Sequence, residues 1–219
     1  LNMKNITTAI KICGVTSVDN ALEVARSGVS AIGLVFYAES PRNVDLEIAR
    51  SIVKNVPPFV SVVGLFVNPS VDEVFKTLES VDLNLLQFHG EEKPDFCSKF
   101  KKPYLKATNV STEVDLIEYG KVYEEASGLL LDTFSEKVRG GTGETFDWNL
   151  VPSELDVPIV LAGGLCPDNV AAAIDCVRPW AVDVSSGVEG ARKGVKDLAL
   201  VRDFIDEVKN ADARRFTEL

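Results

Sequence analysis

Two apolar segments of this sequence each end in a side chain that can take part in covalent or proton-transfer chemistry. Cys13 follows Lys11-Ile12 and directly precedes Gly14. Asp132 directly follows the apolar run Gly128–Leu131. The thiolate form of cysteine is reactive, although a free cysteine is often only a small buried hydrophobic residue. A carboxylate that leaves a buried segment is costly unless it is paired or lies in a solvated cleft; a helix cap or a structural ion pair is the alternative. We interpret both residues as catalytic candidates.

Two later segments run directly into turns whose backbone suits a phosphate. Val157–Leu165 contains Gly163-Gly164, and Ala181–Val188 contains Ser185-Ser186-Gly187. Glycine permits positive φ and a close approach to a ligand, and the N-terminus of a following helix adds partial positive charge. The sequence therefore predicts a small phosphorylated ligand. The predicted phosphate-binding residues of these turns are Gly163, Gly164, Ser185, Ser186 and Gly187.

A third glycine-rich segment, Gly140-Gly141-Thr142-Gly143, lies between Asp132 and the Gly163-Gly164 turn. Its backbone N–H groups suit a flap that closes over a phosphate, so Gly141 and Gly143 join the predicted phosphate site. A plain flexible loop is the alternative, and the segment lacks the lysine of a nucleotide-binding P-loop.

Further polar residues stand near the ends of predicted strands, where they are candidates for binding a substrate. Arg42 follows Ser40-Pro41 on a rigid turn, from which its guanidinium fork can hold a carboxylate through two hydrogen bonds; an exposed surface arginine is the alternative. His89 is the sole histidine and is assigned to the pocket rather than to catalysis. Gln87 and Asp183 complete the predicted substrate-binding set.

The composition argues against several classes of function. The chain has 219 residues, 46% of them hydrophobic, and a formal net charge of −10, which argues against a general nucleic-acid binder. No apolar stretch is long enough to span a membrane. The four cysteines have no C-x-x-C spacing, and with one histidine a metal site is not expected. Reduced thiols and the absence of a signal-like start favour a cytoplasmic protein.

The elements that must position these side chains alternate between short apolar runs and longer helical segments. The central strand residues are continuously apolar, as in a parallel sheet that is covered on both faces. Eight strands are predicted: Ala9–Cys13, Ala31–Phe36, Val60–Val67, Leu83–Phe88, Pro103–Ala107, Gly128–Asp132, Pro158–Ala162 and Ala181–Val184. This number in about 210 residues predicts a compact (β/α)8 TIM barrel forming one domain over residues 1–219. An open doubly wound sheet is the alternative.

Residues typical of helix N-termini support the predicted alternation of strands and helices. Ser17 or Asp19 is expected to cap the first helix, Asp45 the second and Ser70 the third, with Glu73 completing a capping box. The sixth helix, near Phe146–Leu150, looks truncated. A final amphipathic helix is predicted from about residue 198 to residue 210.

At these residues the chain resembles the phosphoribosylanthranilate isomerase family of tryptophan biosynthesis. The resemblance runs in the family's order from about residue 9 to residue 197. Eight pieces carry it: Lys11–Thr16, Phe36-Tyr37 with Ser40–Arg42, Gly64–Asn68, Leu86–Gly90, Leu131–Thr133, Gly140–Gly143 with Phe146–Trp148, Leu161–Leu165, and Asp183–Glu189. Asn20, Phe88 and Lys193 depart from the usual residues, which puts only local packing in doubt.

The resemblance implies a cofactor-free Amadori rearrangement of an aminoaldose to an aminoketose, with Cys13 as general base and Asp132 as general acid. It places Arg42 on the anthranilate carboxylate and the glycine- and serine-rich turns on the phosphate. Anionic surroundings oppose ionisation of the thiol, so helix N-termini or a nearby cation such as Lys11 must offset them. Another phosphosugar enzyme with a barrel fold and a catalytically silent phosphate-binding barrel remain alternatives, and the chain is either a monomer or a homodimer.

Overall fold

The computed structural model describes residues 7–133 and 145–217. Its eight strands are all parallel and form a closed barrel in chain order, with β1 paired to both β2 and β8. The strands are β1 (Ala9–Cys13), β2 (Ala31–Phe36), β3 (Ser61–Phe66), β4 (Leu85–Phe88), β5 (Tyr104–Val110), β6 (Gly128–Thr133), β7 (Ile159–Leu161) and β8 (Ala181–Val184). The predicted TIM barrel is therefore confirmed, and the open sheet is excluded by the pairing of the first strand with the last.

The helices surround the barrel in the described parts of the chain. They are α1 (Val18–Arg26), α2 (Leu46–Asn55), α3 (Val71–Ser80), α4 (Pro94–Cys97), α5 (Leu116–Val122), α6 (Pro167–Val177) and α7 (Leu198–Thr217). Ser17, rather than Asp19, caps α1, and Asp45 caps α2. Ser70 and Glu73 form the predicted capping box at the start of α3.

One element is truncated as predicted, whereas the ends of several others differ from the prediction; β5, for example, runs to Val110 rather than ending at Ala107. Between β6 and β7 the described residues form one 3-10 turn, Trp148–Leu150, which agrees with a truncated sixth helix. The last helix runs to Thr217, further than predicted. The extended part of the helix contains the buried Asp212, which accepts hydrogen bonds from the backbone N–H and the hydroxyl of Thr8, both at 2.7 Å. These bonds attach the end of the helix to the residues before β1.

Alternate strand residues face two different environments, and this alternation decides which side chains reach the site. Leu129 and Leu131 of β6 belong to the large core between barrel and helices. Leu130, between them, packs with Val160 and Ala181 in a smaller apolar cluster of the barrel interior. Asp132 lies two residues beyond Leu130, so the strand turns its carboxylate to the interior face.

The helix-facing core explains one of the sequence departures. Phe88 is fully buried and contacts the rings of Phe66, Phe96, Phe100 and Tyr104, with centroid separations of 5.7 to 6.2 Å. An aromatic ring at this position therefore fills a cluster of other rings.

Within the described ranges, no helix is both long and apolar enough to cross a membrane.

Candidate active site

A cavity of about 840 Å³ opens at the carboxyl ends of the strands. This is the end at which loops after the strands of a TIM barrel form a site, and the volume suits a small ligand. Ten predicted site residues line it: Cys13, Arg42, Gln87, His89, Asp132, Gly163, Gly164, Asp183, Ser185 and Ser186. Gly187 lies just beyond the lining residues, while Gly141 and Gly143 lie outside the described residues.

Cys13 ends β1 in contact with charged neighbours. The pairing of β1 with β8 places Lys11 opposite Asp183, and the Lys11 Nζ lies 2.9 Å from the Asp183 Oδ1, both nearly buried. On the other side, Gly33 of β2 leaves room for the thiol, because a Cβ there would lie 2.7 Å from Cys13 Sγ. The thiol therefore fills the space that Gly33 leaves. It lies beside an ion pair whose two residues are 172 positions apart in the sequence.

The charges around Cys13 act in opposite directions on its ionisation. Burial raises the pKa of the Cys13 thiol; the Lys11 ammonium opposes this rise, the Asp183 carboxylate adds to it, and Lys196 opposes it. Burial alone would lower the pKa of Lys11, but the Asp183 and Cys13 anions raise it above its usual value. Lys11 thus stays charged and is available to stabilise a thiolate.

Asp132, at the end of β6, has neighbours of another kind. Its Oδ1 accepts a hydrogen bond from the Thr133 N–H at 2.8 Å, and its Oδ2 lies 3.1 Å from His89 Nε2. The His89 Nδ1 lies 2.9 Å from the Gln87 side-chain nitrogen. The His89 ring thus lies between the Gln87 amide and the Asp132 carboxyl and contacts each of them through one of its nitrogens. Three predicted residues thus form one hydrogen-bonded row.

The loop that carries His89 is held from behind by a buried ion pair. Lys106 Nζ lies 3.3 Å from Glu92 Oε2, and both side chains are at most 2% exposed. The same ammonium donates to the Gly90 carbonyl at 2.7 Å, and Glu92 accepts from the Gly90 N–H at 2.9 Å. The residue after His89 is therefore fixed through both its backbone groups.

Arg42 reaches the cavity over the turn that follows β1. Gly14 has φ +78°, and a Cβ there would lie 2.5 Å from Arg42 Cδ, so this position requires glycine for both conformation and space. The guanidinium donates through Nε to Glu189 Oε1 at 2.7 Å and through Nη2 to Oε2 at 2.8 Å. Lys196 Nζ lies 2.8 Å from the same Oε1. The predicted carboxylate-binding arginine is thus already part of an ion-pair cluster.

The predicted phosphate turns lie next to each other because β7 pairs with β8. Gly163 and Gly164 have φ +80° and +63°, the left-handed region that favours glycine. The Ser185 hydroxyl donates to the Cys13 carbonyl at 3.0 Å, which ties the β8 turn to the β1 end. A side chain at Gly187 would collide with the Leu165 carbonyl, so this glycine lets the two turns approach each other.

The family model for N-(5'-phosphoribosyl)anthranilate (PRA) isomerase matches residues 10–207. The chain belongs to this family. Curated isomerases of that name from Pseudomonas aeruginosa (strain LESB58) and Pseudomonas fluorescens (strain SBW25) are 55% and 52% identical to it over 201 residues. Each alignment covers 92% of this chain and 95% of the relative.

Solved members of the family have the same fold. The phosphoribosylanthranilate isomerase from Thermotoga maritima has a TM-score of 0.85 at 42% identity, covering 93% of this chain and 100% of that chain. A second crystal structure, in complex with reduced 1-(o-carboxyphenylamino)-1-deoxyribulose 5-phosphate, has a TM-score of 0.82 at 41% identity, with the same coverage.

Two residues that hold Arg42 in this family member, Glu189 directly and Lys196 through Glu189, have no role assigned to them from the sequence. Glu189 lies in one of the eight pieces that carry the resemblance, which implies no role for it, and Lys196 lies just before the predicted final helix. Single acidic and basic residues in a turn are typical of a solvated surface. Their burial follows from the closed barrel, which brings the turn after β8 against Arg42.

Proposed function

We propose that this chain isomerises N-(5'-phosphoribosyl)anthranilate to 1-(2-carboxyphenylamino)-1-deoxyribulose 5-phosphate, a step of tryptophan biosynthesis. The observation that carries the proposal is that Cys13 and Asp132 line one cavity from strands on different sides of the ring. An acid and a base placed on two sides of a sugar are what this rearrangement requires. Family membership over most of the chain supports the same reaction.

The substrate's two anionic groups match two parts of the cavity. Its anthranilate carboxylate is assigned to Arg42, whose planar fork suits a carboxylate. Its phosphate is assigned to the β7 and β8 turns, where Gly163, Gly164, Ser185 and Ser186 line the cavity. Gly187 supports these turns by packing, and Gly141 and Gly143 are assigned to the phosphate from sequence. The ribose then lies between Cys13 and Asp132.

The reaction begins with the transfer of a proton from Asp132 to the ribose ring oxygen. The C1′–O bond breaks, and the nitrogen lone pair forms an iminium ion with C1′. The Cys13 thiolate takes the proton from C2′; the electrons of that C–H bond form a C1′=C2′ double bond, and the π electrons of the iminium ion return to nitrogen. The C2′ hydroxyl proton of the resulting enolamine leaves and a proton adds at C1′, which gives the ketone. Proton exchange with solvent then returns Cys13 to the thiolate and Asp132 to the carboxylic acid. No net oxidation occurs, and no cofactor is required.

Charges of the site support these two roles differently. Lys11 stabilises the thiolate. The Asp183 carboxylate holds the Lys11 ammonium beside Cys13, with 2.9 Å between the Asp183 Oδ1 and the Lys11 Nζ. His89 and Gln87 hold the Asp132 carboxyl in place through the row of hydrogen bonds. Asp183, His89 and Gln87 thus act at the substrate pocket without taking part in bond breaking. The cytoplasmic location and the monomeric or dimeric state stay predictions.

The test is turnover of N-(5'-phosphoribosyl)anthranilate, followed as the loss of its fluorescence by the purified chain. Turnover above that of a Cys13→Ala/Asp132→Asn double variant, purified in the same way, is the expected result. The double variant controls for contaminating isomerase. Folded wild-type protein that gives no turnover would refute the proposal and favour a silent phosphate-binding barrel.

A further inference from the structure

Arg42, the side chain assigned to the substrate carboxylate, is held by a carboxylate of its own chain. Glu189 accepts from Nε and Nη2 of the guanidinium at 2.7 and 2.8 Å, and the two side chains are 11% and 5% exposed. This pairing uses one edge of the planar fork. Within residues 7–133 and 145–217, Nη1 has no protein partner, so the edge formed by Nη1 and the second N–H of Nη2 remains for a ligand.

Lys196 keeps the cluster cationic. Its ammonium is fully buried and lies 2.8 Å from Glu189 Oε1, which also accepts from the Gly194 N–H at 3.0 Å. Two cations and one carboxylate leave a net charge of about +1 by formal count. A ligand carboxylate at the free edge of Arg42 would therefore neutralise the cluster rather than meet an uncompensated anion.

Lys196 is itself fixed from the opposite side by Asn20, one of the departures from the usual family residues. The buried Asn20 side chain accepts from the Lys196 N–H at 2.8 Å and donates to the Lys196 carbonyl at 3.0 Å. Lys196 also donates to the Ser185 carbonyl at 3.0 Å, next to the turn assigned to the phosphate. A continuous row of contacts thus runs from α1 through Lys196 and Glu189 to Arg42.

We infer that Glu189 is a positioning residue: it fixes the Nε edge of Arg42 so that the opposite edge faces the substrate's carboxylate. Lys196 holds Glu189 in turn, and Asn20 holds Lys196. This inference rests on the proposed function for the identity of the carboxylate. Holding the long arginine side chain in advance lowers the entropic cost of binding, and the fork geometry selects a planar carboxylate.

The test compares two ligands that differ only in the ring carboxylate. The first is reduced 1-(o-carboxyphenylamino)-1-deoxyribulose 5-phosphate, and the second is the same compound with an unsubstituted phenyl ring. Their dissociation constants are measured by titration calorimetry on the wild type, Glu189→Gln and Glu189→Asp. Glu118→Gln serves as the matched control, because Glu118 forms an exposed ion pair with Lys121 on α5.

Glu189→Gln should weaken binding of the carboxylated ligand about tenfold to a hundredfold, the range for hydrogen bonds to charged groups. Binding of the ligand without the carboxylate should stay within about threefold. Glu189→Asp keeps the charge but shortens the side chain, and it should show the same selective loss. Glu118→Gln should leave both ligands unaffected. Asn20→Ala, which acts from the far end of the row, should give a smaller loss with the same selectivity.

Three results would overturn the inference. An equal loss for both ligands would make Glu189 a merely structural residue, and unchanged affinities would leave it without a role. Tighter binding of the carboxylated ligand would make Glu189 a competitor for Arg42. Should Glu189→Gln not fold, the selectivity of Glu189→Asp and Asn20→Ala decides in the same way. The readout is binding, so it is independent of whether the wild type turns over phosphoribosylanthranilate.

Discussion

The two sides of the cavity differ in the groups that surround their catalytic candidates. On the β1 and β8 side, Cys13 stands among ionic groups, with the Lys11–Asp183 pair beside it and Lys196 close enough to influence its pKa. On the β4 and β6 side, Asp132 accepts a hydrogen bond from a backbone N–H and lies 3.1 Å from His89 Nε2, whose ring contacts Gln87. On the first side, burial raises the pKa of the thiol and the neighbouring charges modify that rise; on the second side, polar contacts hold the carboxyl in place.

This difference matches the tasks assigned to the two residues. A thiol must lose its proton before it can act as a base, and a nearby ammonium favours the anion. A carboxyl that delivers a proton must regain it in every cycle, and a neighbouring lysine would oppose that. The comparison therefore predicts that charge changes alter the two sides in different ways.

The largest effect is expected when either proton-transfer group is removed. Cys13→Ser and Asp132→Asn should each lower kcat about 10²–10⁴-fold, the usual contribution of general acid–base catalysis, with little change in KM. Cys176→Ser, at an exposed thiol, and Asp206→Asn, on the exposed face of α7, are the controls. Steady-state kinetics measure the effect, and near-normal turnover by either variant would refute the role of the residue replaced.

Arg42→Ala should change binding rather than chemistry. Loss of the guanidinium removes charged hydrogen bonds to the substrate carboxylate, so KM should rise about tenfold to a hundredfold while kcat stays within a few-fold. Arg26→Ala, at an exposed position of α1, is the matched control. A KM that stays at the wild-type value, measured with N-(5'-phosphoribosyl)anthranilate, would show that the carboxylate binds elsewhere.

A smaller effect, in opposite directions, is expected from the ion pair beside Cys13. A base acts only when deprotonated, so kcat/KM rises as the pH passes the pKa of the thiol. Lys11 lowers that pKa and Asp183 raises it. Lys11→Met should therefore move the rise of kcat/KM to higher pH, and Asp183→Asn should move it to lower pH.

The pH–rate profiles of these two variants, with the wild type, check the prediction. The charged groups that act on the thiol come from β1, from β8 and from the turn after β8, namely Lys11, Asp183 and Lys196. Shifts of the same sign in both variants would show that the profile reports another group. No shift in either would mean that Cys13 is not the residue that titrates.

How far the sequence predicts this site depends on the separation of the contacting residues. Apolar runs and the glycines that follow them are local signals, so the strands and the candidates at their ends could be located. Contacts across the closed ring are not local: Lys11 meets Asp183 because the first strand pairs with the last, and Arg42 meets Glu189 across 147 positions. Nothing near Glu189 in the sequence distinguishes it from a surface carboxylate.

The Asn20 position shows the same limit. As a departure from the usual residue it was assigned to local packing, which its burial supports. Its two hydrogen bonds to the backbone of Lys196 join positions that are 176 residues apart. The consequence for Arg42 therefore follows from the fold and not from the residue type.

The smallest effect concerns the stability of the Glu189 cluster in acid. Burial alone would raise the pKa of Glu189, but Arg42 and Lys196 lower it to about 2, against an ordinary value of 4.5. Above pH 4.5 the carboxylate is charged in both the folded and the unfolded chain, and its stabilising effect is complete. Between pH 4.5 and 2 the unfolded chain takes up the proton first, so this contribution is lost progressively as the pH falls.

Urea unfolding of the wild type and of Glu189→Gln at pH 6, 4 and 3 measures this contribution. The difference in the free energy of unfolding between the two should be largest at pH 6 and should shrink at each lower pH. Other carboxylates titrate in both proteins, so their effect cancels in the difference. A difference that stays constant from pH 6 to 3 would mean that the charge of Glu189 adds nothing to stability. The contrast between the two sides of the cavity would then rest on Cys13, Lys11 and Asp183 alone.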